Sequence, residues 1–158
     1  MVHRFVFNNI LCANRHQSSR RQKTGGYAKV FMNTTRIFKT RHFARWLRKT
    51  DISDALLYAA VCEMKNGLID ADLGGGLVKK RIALVGRGKR RSLRTLLATN
   101  KNDLWFFVFG FEKNERTNVN TTELKALHML AADLLKLSSQ ELNIALENNT
   151  LQEMHHDH

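Results

Sequence analysis

Hydrophobic positions set the outline of this chain. "RIFKT" (36–40) has the composition of a short strand, and "HFARWLRKT" (42–50) places Phe43, Trp46 and Leu47 at spacings of three and four on one helical face. "DISDALLYAAVCEMKNG" stays in helical period. Asp51 or Ser53 offers an N-cap, Leu56, Leu57, Ala60, Val61 and Met64 form an apolar stripe, and Gly67 ends it. A hairpin of two short helices is predicted here. "DLGGG" (72–76) is a turn, because three successive glycines suit neither a helix nor a strand interior.

The period then changes. "LVKKRIALV" (77–85), "RSLRTLLAT" (91–99) and "LWFFVFGFEK" (104–113) read as strands, joined by "GRGK" and "NKND", which are short and turn-rich enough for hairpins. The prediction is an antiparallel meander. Its third strand carries Trp105, Phe106, Phe107, Val108, Phe109 and Phe111, apolar on both faces, and is expected at the buried centre.

Two helix starts follow, both with the same device. In "VNTTEL", Asn120 is the N-cap, Glu123 completes a capping box, and Val119 and Leu124 form a hydrophobic staple; in "LSSQEL" the roles fall to Ser138, Glu141, Leu137 and Leu142. Leu124, Leu127, Ala131, Leu134 and Leu135 give the first of these helices a core face. The second weakens after Ala145 and Leu146, so residues 141–158 are expected to be a weakly ordered helix and tail, with "HHDH" as a disordered end rather than a metal site.

Upstream, "RHQSSRRQKTGG" is polar, basic and patternless, so residues 1–31 are expected to form a basic, disordered extension. Its Arg content without acids also suits a mitochondrial transit peptide. Patterned sequence begins at once after Met32, which favours a gene-model extension upstream of the true start. The domain proper is then 32–140, one core within a 158-residue chain.

Charge adds the functional clue. Residues 1–49 hold twelve Lys or Arg and no acid, and residues 79–94 hold eight in sixteen positions, again without an acid. From residue 120 onward six acids outnumber Lys125 and Lys136. A net charge of +12 distributed in this way attracts a polyanion, and nucleic acid is the commonest one. Alternation puts Lys79, Arg81, Ala83 and Val85 on one strand face and Val78, Lys80, Ile82 and Leu84 on the other, the more core-like of the two. Arg94 can reach Lys79 and Arg81 across the hairpin in most registers, although sequence does not fix which. Lys113 ends the third strand beyond its apolar run, and Lys89, Arg90 and Arg91 crowd the hairpin tip.

Other chemistry is sparse. "GRGK" lacks the spacing of a phosphate-binding loop. His42 and His128 sit in unrelated helices, and no Ser-His-Asp order, paired carboxylates or Cys/His cluster is present, so neither metal nor cofactor is expected. Cys12 and Cys62 are far apart, which fits a reducing cytoplasm, and no stretch reaches the roughly 18–20 apolar residues of a membrane span.

The stretch "LIDADLGGGLVKKRIALVGRGK…RTLLATNKNDLWFFVFGFEKNERTNV" resembles the RelE/ParE/HigB superfamily of bacterial type II toxins, nearest to the HigB-like branch. The likeness covers roughly residues 36–140 and rests on the glycine turn, Lys79-x-Arg81, Gly86-x-Gly88-Lys89, Arg94, and Gly110-Phe111-Glu112-Lys113 followed by Arg116 and Asn118. It implies an α+β fold, with an N-terminal helical hairpin on a small antiparallel sheet and C-terminal helices behind. The implied activity is ribosome-dependent mRNA cleavage by attack of a ribose 2′-hydroxyl on the adjacent phosphate. By resemblance Lys79, Arg81, Arg94 and Lys113 are catalytic, either lysine serving as general base and the other as acid. Lys80, Arg87, Lys89, Arg90, Arg91 and Arg116 are expected to bind RNA. The implied partners are the ribosome, mRNA and a helix-turn-helix antitoxin. Two rival readings are a ParE-like toxin that inhibits gyrase without nuclease chemistry, and an inactive RNA-binding relative. The last gains from Arg90 and Arg91, since the resemblance implies that close relatives usually have Ser-Gly-Gly and an aromatic at 90–93, where this chain has Arg90, Arg91, Ser92 and Leu93.

Overall fold

The computed structural model describes residues 34–84 and 92–155. Arg87, Lys89, Arg90 and Arg91, and the extension 1–31, lie outside the described residues. The element order is β1 (Arg36–Thr40), α1 (Arg41–Leu47), α2 (Asp54–Lys65), β2 (Ala71–Asp72), β3 (Leu77–Ala83), β4 (Ser92–Thr99), β5 (Leu104–Glu112), α3 (Thr121–Leu135), α4 (Ser139–Glu147) and β6 (Leu151–Met154).

The expected meander is present as β3-β4-β5, but it is the middle of something larger. Six strands run in the order β2-β3-β4-β5-β1-β6, and β1 lies parallel to β5. The expectation of a small antiparallel sheet is thus corrected to a six-stranded mixed one. The reason lies in β5, which needs a partner on both edges as well as cover on both faces, and β1 supplies the second edge. That crossover spans the whole segment from α1 to β4, so no local turn signal announces it.

Both faces of the sheet are covered. On one side α1 and α2 bring Phe43, Leu47, Leu57 and Val61 onto Ile37, Val78, Leu97, Trp105 and Phe107. On the other, α3 and α4 bring Leu127, Ala131, Leu134 and Leu142 onto Phe38, Leu77, Leu96, Phe106 and Val108. Trp105, Phe106 and Phe107 are fully buried in succession, as a strand with two apolar faces requires. Among the described residues no helix is long and apolar enough to cross a membrane.

Local chemistry sets the ends of the elements. Both capping boxes form: Asn120 and Ser138 accept from the backbone N–H of Glu123 and Glu141, whose carboxylates accept from the N-cap backbones in return. Gly76 turns at φ +79, and a Cβ there would meet a Leu135 methyl at 2.5 Å and the Thr99 carbonyl at 3.1 Å. Gly110 interrupts the aromatic run of β5 because the Trp46 ring lies where its Cβ would be, 2.2 Å away. After α4 the chain reverses through Asn149, at φ 57, into β6, which pairs antiparallel with β1.

Candidate nucleic-acid interface

Register decides what the basic stretch builds. Arg81 is the Cα partner of Arg94, Lys79 of Leu96, and Ala83 of Ser92. One strand further, Leu96 pairs with Phe109 and Arg94 with Phe111. The Lys113 amide donates to the Ser92 carbonyl at 3.3 Å, extending the ladder past β5. Three rows therefore cross one sheet face: Lys79–Leu96–Phe109, Arg81–Arg94–Phe111, and Ala83–Ser92–Lys113. Lys79, Arg81, Arg94 and Lys113 lie on a diagonal through them, about 16 Å from end to end at ordinary strand spacings.

The two arginines at the middle of that diagonal face each other directly. Directly opposed Cα atoms stand about 4.5–5.5 Å apart, so two guanidinium groups share one small area. Among the described residues neither has an acidic partner, and their side chains make no hydrogen bond. Arg81 is exposed and Arg94 half-buried. The acid at this edge, Asp70, accepts from the Arg81 backbone N–H at 2.6 Å. Its carboxylate extends the β2–β3 ladder just before β2 begins.

Lys80 belongs elsewhere. It is buried on the opposite face, where its Nζ pairs with Glu63 at 2.7 Å and donates to the Leu68 carbonyl at 2.8 Å. Alternation turns it away from Lys79 and Arg81, and its charge is already met.

Arg116 lies beside the diagonal with its charge also met. Its Nη1 and Nη2 donate to the two Glu123 oxygens at 2.9 and 2.5 Å, its Nε donates to the Asn118 carbonyl at 3.0 Å, and the guanidinium lies over Phe109 and Phe111 at 5.9 and 5.7 Å. Hydrogen bonding to Glu123 raises the Arg116 pKa, and the same contact, with the Asn120 amide second, holds the Glu123 carboxyl below its usual range. Sequence reading gave Glu123 to the helix cap alone and missed this second bond.

Two further contacts become visible only in the fold. Asn118 accepts from Lys79 Nζ at 3.1 Å, across 39 residues of sequence. His42, exposed on α1, stacks on Phe109 at 5.6 Å between ring centres and 9° between planes. His128 is a structural tie, its Nε2–H donating to the Leu73 carbonyl at 2.9 Å.

The arrangement suits an oxyanion that gains charge. Two fixed planar guanidinium groups can bind phosphate oxygens, and a long-chained amine stands on each side of them. A model for the RelE toxin of the RelE/RelB toxin–antitoxin system matches residues 35–154 of the chain. No curated protein matches it.

Proposed function

Because the chain belongs to the RelE toxin family, we propose that it is a ribosome-dependent mRNA endonuclease of the HigB-like branch, acting in the cytoplasm and neutralised by a helix-turn-helix antitoxin. The observation that carries this reading is the Arg81–Arg94 pair, two opposed cations without an acid among the described residues, flanked on one diagonal by Lys79 and Lys113.

The step is transesterification. The ribose 2′-oxygen attacks the adjacent phosphorus, the bond to the 5′-oxygen breaks, and a 2′,3′-cyclic phosphate and a 5′-hydroxyl result. Negative charge grows on the phosphoryl oxygens in the transition state. Arg81 and Arg94 stabilise that state more than the ground state, which is the condition for acceleration. One of Lys79 and Lys113 removes the 2′-proton and the other protonates the leaving oxygen. Their places at opposite ends of the diagonal suit attack and departure on opposite sides of the phosphorus. The ribosome supplies the in-line geometry by holding the mRNA. Arg87, Lys89, Arg90 and Arg91 add contacts to ribosomal or messenger RNA from the β3–β4 connection.

Primer-extension mapping of mRNA ends tests the reading. Induction of the full chain should produce cuts inside translated frames that vanish in an Arg81→Ala, Arg94→Ala double variant and under a translation block. Growth arrest with intact mRNA would reject cleavage and favour gyrase; neither arrest nor cuts would favour the inactive RNA-binding relative.

A further inference from the structure

Lys79 is the one cation of the diagonal whose head group is held among the described residues. Its Nζ donates to Asn118 Oδ1 at 3.1 Å. Asn118 sits in the connection between β5 and α3, and that connection is itself pinned. The Asn118 carbonyl accepts from Arg116 Nε at 3.0 Å, Arg116 grips Glu123 with two hydrogen bonds, and its guanidinium rests on the Phe109 and Phe111 rings. Glu123 is fixed in turn by the α3 capping box, where its carboxylate accepts from the Asn120 amide at 2.8 Å. An unbroken series of contacts thus runs from the start of a helix, through Glu123, Arg116 and Asn118, to one amine on the cationic face.

We propose that Asn118 is a positioning residue for RNA cleavage: its amide oxygen aims the Lys79 amine across the β3–β4–β5 face, and the Arg116–Glu123 pair holds that amide in place. The proposal rests on the mRNA-cleaving reading of the face. A free lysine head group samples many rotamers and loses that side-chain entropy when fixed, so a group that fixes it beforehand removes part of that cost from the reaction. A neutral acceptor suits the task better than a carboxylate. It orients the amine without cancelling one of the charges that attract phosphate.

Asn118→Leu removes the acceptor at nearly constant shape, and Asn118→Asp keeps an acceptor and adds a charge. The Lys79 ammonium resonance, assigned by its loss in Lys79→Arg, reports whether the amine is held in the protein alone. Cleavage of mRNA on translating ribosomes is followed in parallel, with thermal melting as a control. Asn118→Leu is expected to leave melting unchanged, because the contact is exposed, while the ammonium signal broadens. Its kcat should fall on the order of 10–100-fold, with KM for the ribosome complex little altered. Asn118→Asp is expected to restore a sharp signal, because a carboxylate oxygen still accepts from the amine. A wild-type ammonium signal and wild-type kcat in Asn118→Leu would overturn the proposal. So would a kcat loss that merely tracks lost melting temperature. If the full chain cuts no mRNA, the functional reading fails by itself, and the ammonium signal then decides whether Asn118 holds Lys79.

Discussion

Arg81 and Arg94 are Cα partners in an antiparallel ladder, where like charges directly opposite each other weaken a sheet. With no acidic partner among the described residues, the pair contributes nothing to stability that would account for it. Replacing either with Ala is therefore expected to leave the melting temperature level or slightly higher. The same change should reduce mRNA cutting by about 10²–10³-fold, or ~3–4 kcal/mol of transition-state stabilisation. Melting and quantitative primer extension on the same preparations check both halves; lower stability with undiminished cutting would make the pair structural. Lys80 carries the opposite expectation. Lys80→Met removes the Glu63 ion pair and the hydrogen bond to the Leu68 carbonyl, which should cost about 2 kcal/mol in urea unfolding while cutting per folded molecule stays unchanged. The division between Lys79 and Arg81 on one face and Lys80 on the other follows from strand alternation and can be read in the sequence. The pairing of Arg81 with Arg94 cannot, because register depends on the connection between the strands. Asn118 was legible only as part of a motif, since its bond to Lys79 needs two distant segments to meet.

The elements that announce themselves do so through chemistry confined to a few residues. The capping boxes of α3 and α4 were readable because Asn120 with Glu123, and Ser138 with Glu141, satisfy each other within one turn. β5 was readable because six apolar side chains in eight positions leave no face for water, and its doubly covered position follows directly. The glycine within β5 is intelligible only from packing. A methyl group at Gly110 would overlap the Trp46 ring, with three ring atoms between 2.2 and 2.6 Å. Gly110→Ala is thus expected to destabilise by about 1–3 kcal/mol through overpacking, measured as a lower denaturation midpoint. Trp46→Leu introduced alongside should recover part of that loss, because it removes the ring that collides. A Gly110→Ala protein as stable as the parent would mean that α1 can shift away from β5 without cost.

At the scale of the whole molecule, β6 links the two cores, and it was the least legible element. "LQEM" is four residues long with only two buried positions, too short for a periodicity to stand out. Its apolar pair nonetheless divides between the layers: Leu151 enters the core under α3 and α4, and Met154 the one under α1 and α2. The strand is held to β1 by backbone pairing and by a two-pronged ion pair, Arg36 Nε and Nη2 to the Glu153 oxygens at 2.7 and 2.8 Å. That hydrogen-bonded contact with Arg36 is the main reason the Glu153 carboxyl is held below its usual range, partly opposed by burial. A carboxyl lowered in the folded state stabilises fully above its unfolded pKa, and the contribution disappears as pH falls through the lowered folded value. Wild type should therefore exceed Glu153→Gln by about 1 kcal/mol or less near neutral pH. The gap should close steadily as the solution is acidified through the carboxylate range. Urea unfolding of both proteins at stepped pH measures it, with amide exchange on β1 and β6 to localise the change. Because β6 bridges the layers, loosening there should speed exchange in β1 as well as in β6. A gap that widened in acid would contradict the assigned sign, and faster exchange confined to β6 would show that its docking is not coupled to β1.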